Sequence, residues 1–219
     1  TNTVVVDTVV LARNIQSMLD AFQSNFNLRR EIGTDHGKEL GKFFDEAHII
    51  AGIKGAIAAA PLDTAGQPLA GFEAGKVNKL AAASDESDPD KFYSAIEGIV
   101  VAMSEEDIDV DELVVIVRPT QYAVLYNNNK LLDRDFSDQH GDFYDVSTDE
   151  AKCVALVLHP KSLLSGETIP MQSKIWFNDE EKMYFVDSWM AFGVNFDRPD
   201  VCGAVFKSDA ATITDNVSG

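Results

Sequence analysis

From Leu28 to about Ala60 the apolar positions Leu28, Ile32, Leu40, Phe43, Ala47, Ile50 and Ile57 recur at spacings of three, four or their sums, the period of a helix. No proline interrupts the run, and Pro61 closes it. At 1.5 Å per residue such a helix spans about 50 Å, whereas a compact chain of this length has a radius of gyration of about 17 Å. The pattern therefore predicts a strut and an elongated subunit. Gly33, Gly37 and Gly41 lie on one face of it, each costing about 0.5–1 kcal/mol against alanine. Either another element packs closely on that bare face, the long run Lys182–Phe196 being the expected one, or the helix bends there. Two ordinary helices with a glycine joint are the alternative.

Before this helix, Thr3–Val6 reads as a short strand, and Asp7 and Thr8 as caps. Leu11, Ile15, Met18, Leu19 and Phe22 then form a helical stripe ending near Gln23. After it, Pro61, Gly66, Pro68, Gly71 and Gly75 punctuate a loop-rich stretch, with a short helix expected within Lys76–Ala83 and an acidic turn over Ser84–Asp90. This stretch is the clearest domain boundary. Ser87-Asp88-Pro89 is a helix start, and Phe92, Ile96, Ile99, Val100 and Met103 form the stripe behind it. Leu113–Val117 and Val154–Leu158 are continuous apolar runs of strand length, each followed by proline after one further residue. They predict a small parallel or mixed sheet. Thr120–Tyr126 reads as a short helix with Tyr122 and Leu125 inward, and Lys130–Glu150 as an extended acidic loop. Gln172–Phe177 and the aromatic run Lys182–Phe196 pair across a turn at Asn178–Glu181, Val201–Phe206 is the last strand, and Ser208–Gly219 is a loose tail.

Charge narrows the function classes. The 219 residues carry 18 Lys+Arg against 36 Asp+Glu, a formal charge of −18. That balance argues against gripping phosphates and against docking on anionic lipid. Cys153 and Cys202 match no metal spacing and are expected to be free thiols in a reducing compartment, a disulfide between them being the alternative. No segment has the length and apolarity of a transmembrane span, and Val4–Ala12, broken by Asp7, is no signal peptide. The first methionine is Met18, so residue 1 is expected to follow something removed or left out.

The search for chemistry returns no catalytic, cofactor-binding or metal-binding residues. Asp107, Asp109 and Asp111 imitate the start of a calcium loop, but Glu112 stands where that loop needs glycine and Arg118 where it needs a bidentate glutamate. Glu105, Glu106 and Asp107 lack apolar neighbours that would raise a carboxyl pKa. Asp85, Glu86, Asp88 and Asp90 read as a solvated acidic turn. His36 and His48 read as packed helix residues, His140 joins no ligand pattern, and His159-Pro160 follows a strand without a nucleophile elbow to serve. Phosphate-binding glycine loops are missing, and Trp176 and Trp189 read as sheet core because basic residues do not interleave with them. A strut, a long aromatic hairpin and a separate α/β part suit a protein whose work is shape and contact.

The order of elements resembles the major capsid proteins of tailed double-stranded-DNA bacteriophages, among them the short-tailed podoviruses related to coliphage T-seven. Four stretches carry the resemblance. They are Thr3-Val4-Val5-Val6-Asp7 with the stripe to Phe22, and Leu28–Ala60, similar to the family's spine helix. The others are Val114–Tyr126, with its Pro-Thr-Gln-Tyr, and Met183–Lys207, with Ala191-Phe192-Gly193, Arg198-Pro199-Asp200 and Gly203-Ala204-Val205-Phe206. The resemblance implies an α+β fold of the Hong Kong 97 type. Its peripheral domain would be 1–60 plus 166–197, and its axial domain 61–165 plus 198–219. The family's N-terminal arm and extended loop are not represented. It further implies a structural, non-enzymatic shell subunit without cofactors, self-assembling into hexamers and pentamers around double-stranded DNA. Scaffolding protein and portal would be its assembly partners. It would be built in the host cytoplasm, with no membrane involved, and end in the virion capsid. The acidic charge would then keep an inner wall from sticking to packaged DNA. Lys130–Glu150 and Asn178–Glu181 are the expected contact points between subunits. The alternatives are the shell of an encapsulin-like compartment holding protein cargo, and a soluble acidic α/β enzyme.

Overall fold

A computed structural model describes residues 3–6, 9–17, 28–126 and 149–217. The regular elements are β1 (Val10–Ser17), α1 (Leu28–Ile57), β2 (Lys76–Lys79), α2 (Pro89–Glu105), β3 (Val114–Val117), α3 (Pro119–Tyr126), β4 (Cys153–Leu158), β5 (Leu163–Asn178), β6 (Met183–Phe196) and β7 (Cys202–Phe206). Short 3₁₀ turns lie at Ala83–Ser87, Glu150–Lys152 and Pro199–Val201. The chain divides into two units, one of Thr3–Ala47 with Ser165–Val194, the other of His48–Leu164 with Asn195–Gly219.

The first unit is a three-stranded sheet in the order β1-β6-β5, with the first part of α1 against it. Phe43 and Phe44 meet Phe192 edge-on, at centroid distances of 5.9 and 4.8 Å. Arg29 lies 4.3 Å over the Tyr184 ring, and Leu40 is buried. The aromatic hairpin thus lies along the helix, as expected of Lys182–Phe196. The bare glycine face does not serve that contact. A Cβ on Gly33 would sit 3.9 Å from Ser173 Oγ, and one on Gly37 or Gly41 would meet nothing within 4 Å. α1 also runs unbroken through all three positions, so the glycine joint between two helices falls.

The N-terminal expectations are overturned. Thr3–Val6 belongs to no strand; it passes over β6 where Gly193 has no side chain, and a Cβ there would lie 2.6 Å from Val4 Cγ1 and Val5 O. Residues 10–17, expected as helix, are β1, antiparallel to β6 from Val10↔Met190 to Ser17↔Met183. Leu11 and Ile15 are four apart, an even number, so they share a face in a strand as well as in a helix. The β6 edge supplies hydrogen bonds along the whole segment, and Arg13 stands directly opposite Asp187. Asp7, Thr8, Met18, Leu19, Phe22 and the end near Gln23 lie outside the described residues.

The second unit is a four-stranded mixed sheet, β2-β7-β4-β3, with β2 parallel to β7 and the other neighbours antiparallel. The two apolar runs are therefore antiparallel partners within a mixed sheet. All six residues of β4 are buried because both faces are covered. On one face Ile53 and Ala56 of α1 pack with Leu156, Cys202, Ala204 and Phe206. On the other, Phe92, Ile96, Ile99 and Met103 of α2 and Leu125 of α3 pack with Val154, Val157 and Val205. Close approach by glycine occurs here. A Cβ on Gly52 would lie 2.9 Å from Leu156 Cδ2, and one on Gly55 2.8 Å from Cys202 Sγ. One on Gly75 would run into the carbonyl oxygens of Gly55 and Ala56. The start of α2 follows its signal: Pro89 opens the helix and the Asp88 carboxylate accepts from the Asp90 and Lys91 N–H groups.

Two further readings are corrected. Lys76–Lys79 is strand β2, followed by the 3₁₀ turn at Ala83–Ser87, not a helix, because β7 offers it a parallel edge. The tail is packed. Ala210 and Ile213 are buried, Asn216 Oδ1 accepts from Val77 N at 2.7 Å, and Asn216 N donates to Val77 O at 3.0 Å. Asn216 Nδ2 donates to Gly75 O at 2.8 Å, and Asp215 accepts from Lys79 N at 3.1 Å. The last residues thus satisfy the outer edge of β2, which would otherwise expose unpaired backbone.

Candidate functional site

The polar groups that the sequence raised as chemical candidates are structural in their surroundings. His159 is buried at the end of β4; its Nδ1 accepts from Lys161 N at 3.1 Å, which leaves Nε2 facing Glu112 Oε2 at 3.4 Å. That geometry braces a strand end. Asp109 Oδ1 accepts from Asp111 N at 3.0 Å in an Asx turn, and Glu106 pairs with Lys76. Asp85 accepts from Ala82 N and from Lys91 Nζ, at 2.9 and 2.6 Å; these bonds, that from Lys91 foremost, hold its carboxyl below the usual range. His36 lies on α1 in the first unit and His48 on α1 in the second. His140 is outside the described residues. Among the described residues no three His, Cys, Asp or Glu side chains gather as metal ligands, and no helix is long and apolar enough to cross a membrane.

Both cysteines are free and buried, and burial pushes each thiol up to about 12, which keeps them unreactive. A groove of about 470 Å³ beside β2 is lined by Asn78, Leu80, Asp85, Lys91 and Ser94. Three of its polar side chains are engaged within the fold: Asn78 Nδ2 donates to Ala95 O, and Lys91 holds Asp85. Nothing in it converges on a vacant point where a reacting atom would sit.

What the side chains do build is a rigid polar knot in the first unit. Arg13 Nε and Nη2 donate to the two oxygens of Asp187 at 2.7 and 2.9 Å, a fork on a fork. Trp176 Nε1 donates to the same carboxylate at 3.0 Å, and its ring stacks on Phe185 at 4.4 Å. Arg13 also lies 5.8 Å over the Phe185 ring. The guanidinium first, with help from the indole N–H, lowers the Asp187 carboxyl below its ordinary value. The knot ties all three strands together. Sequence reading missed it because its members are 174 and 11 residues apart.

The expected contact regions are unequal. Asn178–Glu181 forms the β5–β6 turn with Lys182 at φ +53°, and Asp179, Glu180 and Glu181 are exposed. Of Lys130–Glu150, residues 130–148 lie outside the described residues; Asp149 accepts from the Thr212 hydroxyl and N–H, at 2.6 and 2.8 Å, and from Lys152 at 2.9 Å. These bonds, the threonine hydroxyl leading, lower its pKa, and they fasten the tail to the start of β4.

No protein-family model matches the chain, and no curated protein matches it. Solved structures do. A chain of the mature capsid of bacteriophage PhiM1 superposes with a TM-score of 0.74 at 23% identity, covering 93% of this chain and 72% of that one. The capsid of cyanophage P-SCSP1u gives 0.76 at 14% identity, over 93% and 73%. A virus-like particle from Pyrococcus furiosus gives 0.58 at 11% identity, over 90% and 75%. The α+β architecture of this chain is the fold of phage capsid shells.

Proposed function

We propose that the chain is a major capsid protein of a tailed double-stranded-DNA bacteriophage, a structural subunit and not an enzyme. The observation that carries this reading is the match over 93% of the chain to two phage capsid chains, at TM-scores of 0.74 and 0.76. In this reading the peripheral domain is 1–60 with 166–197, the axial domain is 61–165 with 198–219, and α1 is the spine helix. Copies ring into hexamers and pentamers through heterologous contacts that close around symmetry axes. Scaffolding protein and portal take part in assembly, which occurs in the host cytoplasm and ends in the virion. The DNA is enclosed without being gripped, which the charge of −18 favours. Membership of the short-tailed group related to coliphage T-seven rests on the resemblance of the four stretches named above, Met183–Lys207 foremost, and belongs to the same proposal.

Electron microscopy of particles from the native source tests it. Icosahedral shells tens of nanometres across, built of this chain and holding DNA, are the expected result. Shells holding protein cargo would move the reading to an encapsulating compartment. A stable monomer with saturable small-molecule binding would end both.

A further inference from the structure

In the first unit's sheet, side chains alternate between two faces, and α1 covers one of them. Tyr184 lies under Arg29, Ser188 hydrogen-bonds Ser173 beside Gly33, and Phe192 meets Phe43 and Phe44. The even-numbered residues of β6 therefore face the helix. Phe185, Asp187 and Trp189 face away from it, opposite Ile15, Arg13 and Leu11 of β1. Trp176, bonded to Asp187 and stacked on Phe185, brings β5 onto that second face, and Lys174 follows two residues along the strand.

This second face is unlike the rest of the molecule in two respects. It presents apolar surface: Leu11 and Ile15 are each 52% exposed, and both tryptophans of the chain stand on it, neither fully buried. It is also not acidic. Asp187, its carboxylate, is forked by Arg13, while Lys174 is exposed and without an ion-pair partner among the described residues. Two cations against one carboxylate leave it net positive, in a chain whose formal charge is −18. Asp179, Glu180 and Glu181 belong to the turn beyond the ends of the strands.

One end of the face already carries a piece of chain. Phe192 faces α1, so Gly193 faces the other way, and Thr3–Val6, which belongs to no strand, lies across it with Val4 Cγ1 2.6 Å from where a Cβ would be. A run of valines thus rests on this face without sheet pairing. Charge selects what suits the remainder. Aliphatic side chains match Leu11, Ile15 and Trp189, and a carboxylate matches Lys174. A second copy of this chain would bring carboxylates but also the whole charge of −18, which repels its like; an acidic segment on a less acidic protein brings only its own few charges. Anionic lipid meets the same repulsion over a wide flat surface.

We propose that the face built by Leu11, Ile15 and Trp189, with Lys174 on the edge strand, docks an aliphatic, carboxylate-bearing segment of a second, different protein.

Both tryptophans lie on the face, so their fluorescence reports on it. The probe is a short capped peptide alternating valine and glutamate, titrated into the full chain. The expected result is a saturable blue shift of the emission, with weaker binding at 0.15 M than at 0.01 M salt. Lys174→Glu is expected to weaken binding about tenfold or more, and Leu11→Ser/Ile15→Ser to abolish the shift. Thermal scans check that both variants stay folded, as substitutions at exposed positions leave them. No shift with the valine–glutamate peptide, or an equal shift with a valine–lysine counterpart, overturns the proposal. So does a blue shift that grows with the concentration of the chain alone and is lost in Lys174→Glu, because a second copy then covers the face.

Discussion

At the scale of single residues, position in the fold sets each side chain's importance. Asp187 is buried and held by one guanidinium and one indole N–H. Its folded pKa is depressed, so its contribution is present above the unfolded value of about 3.9 and is lost as pH falls through the folded value. The thermal midpoint of the wild type is expected to fall as pH drops from about 5 towards 2. Asp187→Asn should start lower at neutral pH and show a shallower acid slope, measured by calorimetry; equal slopes would remove the carboxylate from the account. Glycines sort the same way. Gly75→Ala puts a Cβ into backbone carbonyls that cannot move aside and should cost about 1–3 kcal/mol. Gly37→Ala meets nothing within 4 Å and should gain up to about 1 kcal/mol from helix propensity. Chemical denaturation of the two variants checks both signs.

At the scale of elements, the packed tail and the β1 strand are each defined by an edge that needs a partner. β2 lends one edge to β7 and the other to Asp215 and Asn216. Asn216→Ala removes the side-chain bonds to Val77 N and Gly75 O and should cost about 1–2 kcal/mol. Hydrogen exchange at the Val77 amide should quicken with it, while amides of β4, buried on both faces, stay protected in the intact fold. Unchanged exchange at Val77 would mean that the tail is not what seals this edge. α1 shows the converse case. Its thirty residues form one helix, about 45 Å long, in spite of five glycines, because apolar residues along it pack against strands.

At the scale of the whole molecule, the formal charge of −18 opposes any contact between copies. Salt shortens the reach of that repulsion, from about 30 Å at 0.01 M to about 8 Å at 0.15 M. In the capsid reading, assembly should therefore speed up over this range, followed by light scattering. Assembly that slows with salt would show that attraction between opposite charges governs the contacts instead.

Local signals were enough where one segment carries its own instruction. The period of Leu28–Ile57, the Asp88-Pro89 cap, the buried run of β4 and the long strand of β6 are all legible in the chain and were met in the fold. Order of elements carried the capsid fold class. Tertiary structure alone decided whether Val10–Ser17 would be helix or strand, since a spacing of four satisfies both periods and the partner edge lies 174 residues away. It also decided that Lys76–Lys79 would be a strand, that the tail would be bound, and that Gly52, Gly55 and Gly75 would make the close contacts. The physical reason is common to all of these. A backbone hydrogen bond or a missing Cβ acquires its value from what lies opposite, and that neighbour is not written in the local sequence.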